Sequence, residues 1–266
     1  MQIDGILGFD RRSLSIVSQL SSRGISGKVF SHCLKGEREN GGGILVLGEI
    51  QNPSMVYTPL VPSTEHYNVD LQSIAVNGKL LQIDPVVFAT SEDGGTFFDS
   101  GTTLIHLVAE AYDSVINAIN IDIPSSVEST MSGGTPCYLV SSRSPNNVTK
   151  IFPRVALNFA GGVSMELRPT DYLSFIGDFK NTSQWCIFLI SKAPSMTILG
   201  DIALRDKSIV YDLAHQRIGW ADQDCSLPMN VSISSGVDQV VNFRVLFHIL
   251  SMLCIFLFWG SYLVLM

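Results

Sequence analysis

One short run of residues is built for acid–base chemistry: Phe97-Phe98-Asp99-Ser100-Gly101-Thr102-Thr103. An apolar pair delivers an aspartate, and a small hydroxyl residue, a glycine and two threonines follow. A carboxylate at a strand end, in a tight turn lined with hydroxyl donors, is placed to move protons. Ser100 and Thr102 can orient it, and Gly101 lets backbone approach backbone. A second carboxylate beside it would change what it can do. Two carboxyl groups a few ångströms apart cannot both ionise, so they share one proton, and their apparent pKa values belong to the pair. The charged member takes a proton from a bound water, and the neutral member donates toward the substrate carbonyl. The water then attacks with no covalent intermediate.

Other chemistry is poorly served. His32, His66, His106, His215 and His248 are scattered without metal-ligand spacing, and no Gly-x-Ser-x-Gly is present for a serine hydrolase. Gly41-Gly42-Gly43 is followed by no Gly-Lys-Ser/Thr, so it reads as a hairpin turn rather than a phosphate loop. Neither a metal nor a cofactor is expected. The net charge of −7 comes without a basic stripe or aromatic platform, which argues against a nucleic-acid partner.

The elements that must position Asp99 are mostly strands. Glycine (22) and proline (11) punctuate short apolar runs. Lys28 to Leu34, Ile44 to Leu47 and Tyr67 to Leu71 read as strands, and Asn77-Gly78 as a hairpin turn. Asp93-Gly94-Gly95 is a turn feeding straight into Thr96-Phe97-Phe98-Asp99. Helical spacing is confined to Ser13–Leu20 and to Val108–Ile119, the latter through Val108, Tyr112, Val115, Ile116 and Ile119. With 266 residues the chain can bury a sizeable core.

Five cysteines occur, four in the body (Cys33, Cys137, Cys186, Cys225) and Cys254 in an apolar tail. No C-x-x-C is present, and the four body cysteines allow three pairings. Sequons at Asn147, Asn181 and Asn230, together with an even body-cysteine count, favour an exported protein. Residues 1–8 have neither a basic start nor an apolar signal core, and they read like the middle of a domain. Val245 to Met266 contains no Asp, Glu, Lys or Arg. As a helix it would be ~33 Å long, enough to cross a bilayer core. Ser234-Ser235-Gly236, a spacer and this tail form a GPI-attachment pattern. The alternative is a retained transmembrane anchor, which would ordinarily carry Lys or Arg beyond the span.

Taken in order, these pieces resemble the C-terminal two-thirds of a pepsin-like (A1) aspartic protease, most similar to the plant nepenthesin-like, GPI-anchored branch. Asp99-Ser100-Gly101-Thr102-Thr103 matches the second catalytic motif, and Ile198-Leu199-Gly200-Asp201 the segment that threads beside it. Ile209-Val210-Tyr211-Asp212 and Ile218-Gly219-Trp220-Ala221 resemble the closing strands, and Asp4-Gly5-Ile6-Leu7-Gly8 the threading segment of the first lobe. Phe30-Ser31-His32-Cys33-Leu34 and Tyr67-Asn68-Val69-Asp70-Leu71 are also similar to family segments.

The resemblance implies a mostly β, pepsin-like bilobal β-barrel fold with an incomplete N-terminal lobe. Residues 1–56 would be the remnant of that lobe and 57–225 the C-terminal catalytic lobe. Residues 226–244 would be a linker and GPI-type spacer, and 245–266 the hydrophobic tail. Asp99 would be the catalytic residue, with Ser100, Gly101, Thr102 and Thr103 against substrate and Asp201 structural. Cys137–Cys186 and Cys33–Cys225 would be disulfides. The family's first Asp-Thr-Gly and its flap would precede Asp4, so residues 1–266 alone hold half of a dyad and are expected to be inactive. The implied protein is a monomeric aspartic endopeptidase acting on polypeptides, at the outer plasma-membrane face or in the cell-wall space. The alternative is a non-catalytic binder or inhibitor on the same fold.

Overall fold

The computed structural model describes residues 8–36, 42–62, 64–141, 144–179 and 181–232. The GPI-type residues Ser234, Ser235 and Gly236, the tail 245–266 and residues 4–7 of the threading segment lie outside them. The fold is mostly β, as expected.

The strand that ends at Asp99, Gly95–Phe98, lies in a mixed five-stranded sheet. Its order is Ile190–Ala193, Ile105–Val108, Met196–Leu199, Gly95–Phe98, Tyr67–Val69. Met196–Leu199 runs parallel to Gly95–Phe98 on one side and antiparallel to Ile105–Val108 on the other. The late segment therefore passes between two strands that are neighbours in sequence, with the Asp99 turn joining them. A second, antiparallel five-stranded sheet has the order Gly43–Val46, Val29–Leu34, Lys207–Asp212, Arg217–Asp222, Val56–Pro59. Strands before residue 57 and strands after residue 206 thus share one hydrogen-bonded ladder. Two four-stranded antiparallel sheets and a two-stranded one, Glu49–Ile50 with Val231–Ser232, account for the other paired strands among the described residues.

Sequence spacing and structure agree closely at the larger helix. Ala109–Asp122 turns Ala111, Val115 and Ile119 into the core, a repeat of four that keeps one face apolar. It starts one residue later than the apolar spacing suggests and runs one turn further. Ile16–Ser22 is one of the shorter helices, capped by the Ser15 side chain on the Ser18 amide, and Pro145–Ile151 is a helix that the apolar spacing does not suggest. The run Tyr67–Leu71 is not one strand. It divides at Asp70, with Tyr67–Val69 joining the Asp99 sheet and Leu71–Val76 pairing with Val155–Phe159. The sequence Tyr67–Leu71 alternates straight through Asp70, so periodicity alone does not reveal the change of sheet.

Both disulfides form with the pairing that the resemblance implied, Cys33–Cys225 and Cys137–Cys186. The first ties the strand Val29–Leu34 to the end of the described body. The second joins directly opposed residues of two antiparallel strands.

Candidate active site

Two aromatic rings packed on Phe98 fix the strand that presents Asp99. Phe98 lies 6.2 Å from the Phe159 ring and 5.9 Å from Trp220, and those two meet at 5.2 Å, near edge-on. Phe98 is buried, and the chain emerges at Asp99, which is half-buried. The turn then closes on the carboxylate itself. Gly101 N–H donates to Asp99 Oδ1 at 2.9 Å, and Thr102 Oγ1 donates to Asp99 Oδ2 at 2.6 Å. Each oxygen therefore has its own donor, one backbone and one hydroxyl, which fixes the plane of the carboxylate.

The threading segment holds the turn from the other side. Asp99 N–H donates to Leu199 O at 3.1 Å, Asp201 N–H to Thr102 O at 2.6 Å, and Ile202 N–H to Thr103 O at 3.2 Å. Gly200 sits where these bonds converge. A Cβ there would lie 2.2 Å from Leu104 O and 2.6 Å from Thr102 O. Close approach of backbone to backbone is thus a requirement at Gly200.

The residues of the motif differ in their contacts. Gly101 and Thr102 bond the Asp99 carboxylate. Thr103 is exposed and Ser100 half-buried at the open side. Asp201 pairs with Arg205 and starts the short helix Asp201–Leu204, the structural role expected of it. No group of three or more His, Cys, Asp or Glu side chains able to hold a metal occurs among the described residues.

Beneath the site is a cluster that sequence reasoning did not single out. Tyr211 stacks on Phe30 at 4.4 Å with the rings 3° apart, and meets Tyr67 edge-on at 4.6 Å. Burial, then the neighbouring Tyr67 and Asp99, push the Tyr211 phenol well above its ordinary pKa. His32 Nε2 lies 3.3 Å from Tyr211 Oη. His32 is fully buried, its Nδ1 has no hydrogen-bond partner among the described residues, and burial pushes its pKa down to about 4. The strand Val29–Leu34 is buried along nearly its whole length, and its sequence does not show that the histidine within it is enclosed.

The sequon asparagines Asn147, Asn181 and Asn230 are all exposed. Asn181 lies at the turn between the paired strands Ser174–Phe179 and Thr182–Cys186. No helix among the described residues is long and apolar enough to cross a membrane.

A threaded strand beside an Asp-Ser-Gly-Thr turn defines the class, and comparison with known proteins agrees with it. The family model described as xylanase inhibitor C-terminal matches residues 66–222, and the one described as xylanase inhibitor N-terminal matches residues 1–49. Aspartic proteinase 36 of Arabidopsis thaliana is 37% identical over 237 residues, covering 88% of this chain and 48% of that protein. Aspartic proteinase nepenthesin-1 of Nepenthes gracilis is 30% identical over 234 residues, covering 83% of this chain and 50% of its own. The crystal structure of basic 7S globulin from soybean superposes with a TM-score of 0.67 at 19% identity, over 88% of this chain and 61% of that one. The chain belongs to the xylanase inhibitor C-terminal family, within the pepsin-like (A1) aspartic protease group. It spans about half the length of the curated relatives it matches.

Proposed function

We propose that this chain carries the second catalytic aspartate of an aspartic-type endopeptidase. The observation that carries the reading is the carboxylate of Asp99, held oxygen by oxygen by Gly101 N–H and Thr102 Oγ1. Paired with a second carboxylate supplied outside residues 1–266, Asp99 shares one proton. The charged partner removes a proton from water as its oxygen bonds to the peptide carbon, and the other partner protonates the carbonyl oxygen. The resulting diol collapses, the C–N bond breaks, and the amine leaves with a proton. On this reading residues 1–56 complete a first lobe, 57–225 form the catalytic lobe, and residues 1–266 alone are inactive.

The test is cleavage of a peptide library at acidic pH by the longest form of the protein that the gene encodes. Activity that is blocked by pepstatin and lost in Asp99→Asn supports the reading.

A second reading, a non-catalytic binder or inhibitor of another protein, is favoured by the family descriptions themselves, which name xylanase inhibitors. A folded full-length protein that cleaves nothing yet binds a glycan-degrading enzyme would favour it. Under either reading we assign the mature protein as a monomer to the outer plasma-membrane face or cell-wall space, N-glycosylated at Asn147, Asn181 and Asn230 and GPI-attached at Ser234–Gly236. Release by phospholipase C supports GPI attachment, whereas a fraction that stays membrane-bound supports a retained tail.

A further inference from the structure

The strand that delivers Asp99 has a neighbour that reaches out of its own sheet. Tyr67 is the register partner of Phe98, the residue immediately before Asp99. Its phenol donates a hydrogen bond to the carbonyl of Phe9, which directly follows the Asp4–Gly8 segment. Tyr67 is only 6% exposed and sits among the rings of Phe30 and Tyr211. Burying a hydroxyl in such a place is costly unless it is bonded. This bond spans 58 residues of sequence.

Arg11 repeats the connection two residues later. Its Nη1 donates to Val61 O at 2.8 Å, to Thr64 Oγ1 at 2.5 Å and to His66 O at 3.3 Å, and its Nη2 donates to Gln216 Oε1 at 3.0 Å. Three of these acceptors lie in the loop that leads into Tyr67. Residues 9 and 11 are therefore fastened to one of the two strands that flank the Asp99 strand and to the loop leading into it. Phe9 packs on Phe30 at 5.1 Å, inside the same aromatic cluster.

We propose that Tyr67, with Arg11 as a second anchor, is a positioning residue for Asp99, locking the backbone at Phe9 to the strand that ends in Asp99. The proposal rests on the proteolytic reading, in which the chain before Phe9 leads to the carboxylate that shares the Asp99 proton. The lock then sets the separation of the two carboxylates. Proton sharing depends steeply on that separation, so both macroscopic pKa values move when it changes. A misplacement of about 1 Å costs up to ~100-fold in rate.

The test uses the full-length protein carrying Tyr67→Phe, which keeps the ring and removes the hydroxyl. We expect kcat to fall about ten-fold or more with KM within about two-fold, and the two limbs of the pH–rate profile to move toward each other. Tyr57→Phe is the control. It removes a comparable bond, to Glu49 Oε1 at 2.8 Å, in the other five-stranded sheet, and should leave the pH profile unchanged. Independently of activity, hydrogen exchange at amides 9–12 should quicken about ten-fold or more in Tyr67→Phe, while amides 96–98 stay protected. Unchanged exchange at 9–12, or an active Tyr67→Phe enzyme with an unmoved pH profile, overturns the proposal. A wild-type protein that cleaves nothing sinks the proteolytic reading and the catalytic half of this proposal with it, while the exchange experiment still decides the lock.

Discussion

Replacing Gly200 by alanine should be among the most damaging single-methyl changes in this protein. The backbone at Gly200 is ordinary, with φ −76°, so the cost is purely one of space. The added carbon would stand 2.2 Å from Leu104 O and 2.6 Å from Thr102 O. Both are backbone atoms, and no side chain can rotate away. To reach even a tight contact the threading segment must withdraw by at least about 0.8 Å. That movement carries the Asp201 N–H to Thr102 O bond and the Asp99 N–H to Leu199 O bond beyond good geometry. Two weakened backbone bonds at about 1 kcal/mol each, plus partly orphaned buried groups at 1–3 kcal/mol, give a loss of about 3–5 kcal/mol. Urea unfolding of wild type and Gly200→Ala, followed by far-ultraviolet circular dichroism, reads it directly. Any activity present should fall with it, because the Asp99 turn is hung on the same bonds. A loss below about 1 kcal/mol would refute the reasoning and mean that the threading is looser than described.

Three further outcomes follow from the same geometry. Because burial lowers the His32 pKa to about 4 in the folded protein, the unfolded chain takes up its proton first as pH falls. Stability is intact above about pH 6.5 and declines toward pH 4, by on the order of 3 kcal/mol, and His32→Phe should flatten that limb of a pH–stability curve. Removing Cys33–Cys225, which closes a separation of 192 residues, should cost about 1 kcal/mol more than removing Cys137–Cys186, which closes 49. Double Cys→Ser variants compared by chemical denaturation give the ranking. Asn181→Gln should remove one N-glycosidase-sensitive mass step from the exported protein without changing its unfolding midpoint, since Asn181 is exposed in a turn.

Much of this fold was legible because the chemistry and the punctuation coincide. The run from Asp93-Gly94-Gly95 to Thr103 announces turn, strand, acid and hydroxyl donors in order, and the structure keeps each in place. Val115 and Ile119 mark the buried helix face by spacing alone. The division at Asp70 was not legible, since Tyr67–Leu71 alternates straight through it and only the pairing partners change. Gly101 drew attention as the glycine of the motif, whereas the lack of room for a side chain at Gly200 emerges only from the structure. Its constraint comes from a strand crossing about a hundred residues away in sequence, which no local pattern encodes. For the same reason Tyr67, Arg11 and His32 carry no signal of their own. Their importance comes from contacts that span 58, up to 205 and 179 residues respectively.

The central claim is that Asp99 is half of a working catalytic pair. The most direct measurement is peptide cleavage at acidic pH by the full-length wild-type protein and by Asp99→Asn, with folding of both verified by unfolding midpoint. The account predicts pepstatin-sensitive cleavage by wild type and a loss of at least about a thousand-fold in an equally folded Asp99→Asn. Cleavage that survives the substitution, or none at all from a folded wild-type protein, would contradict it.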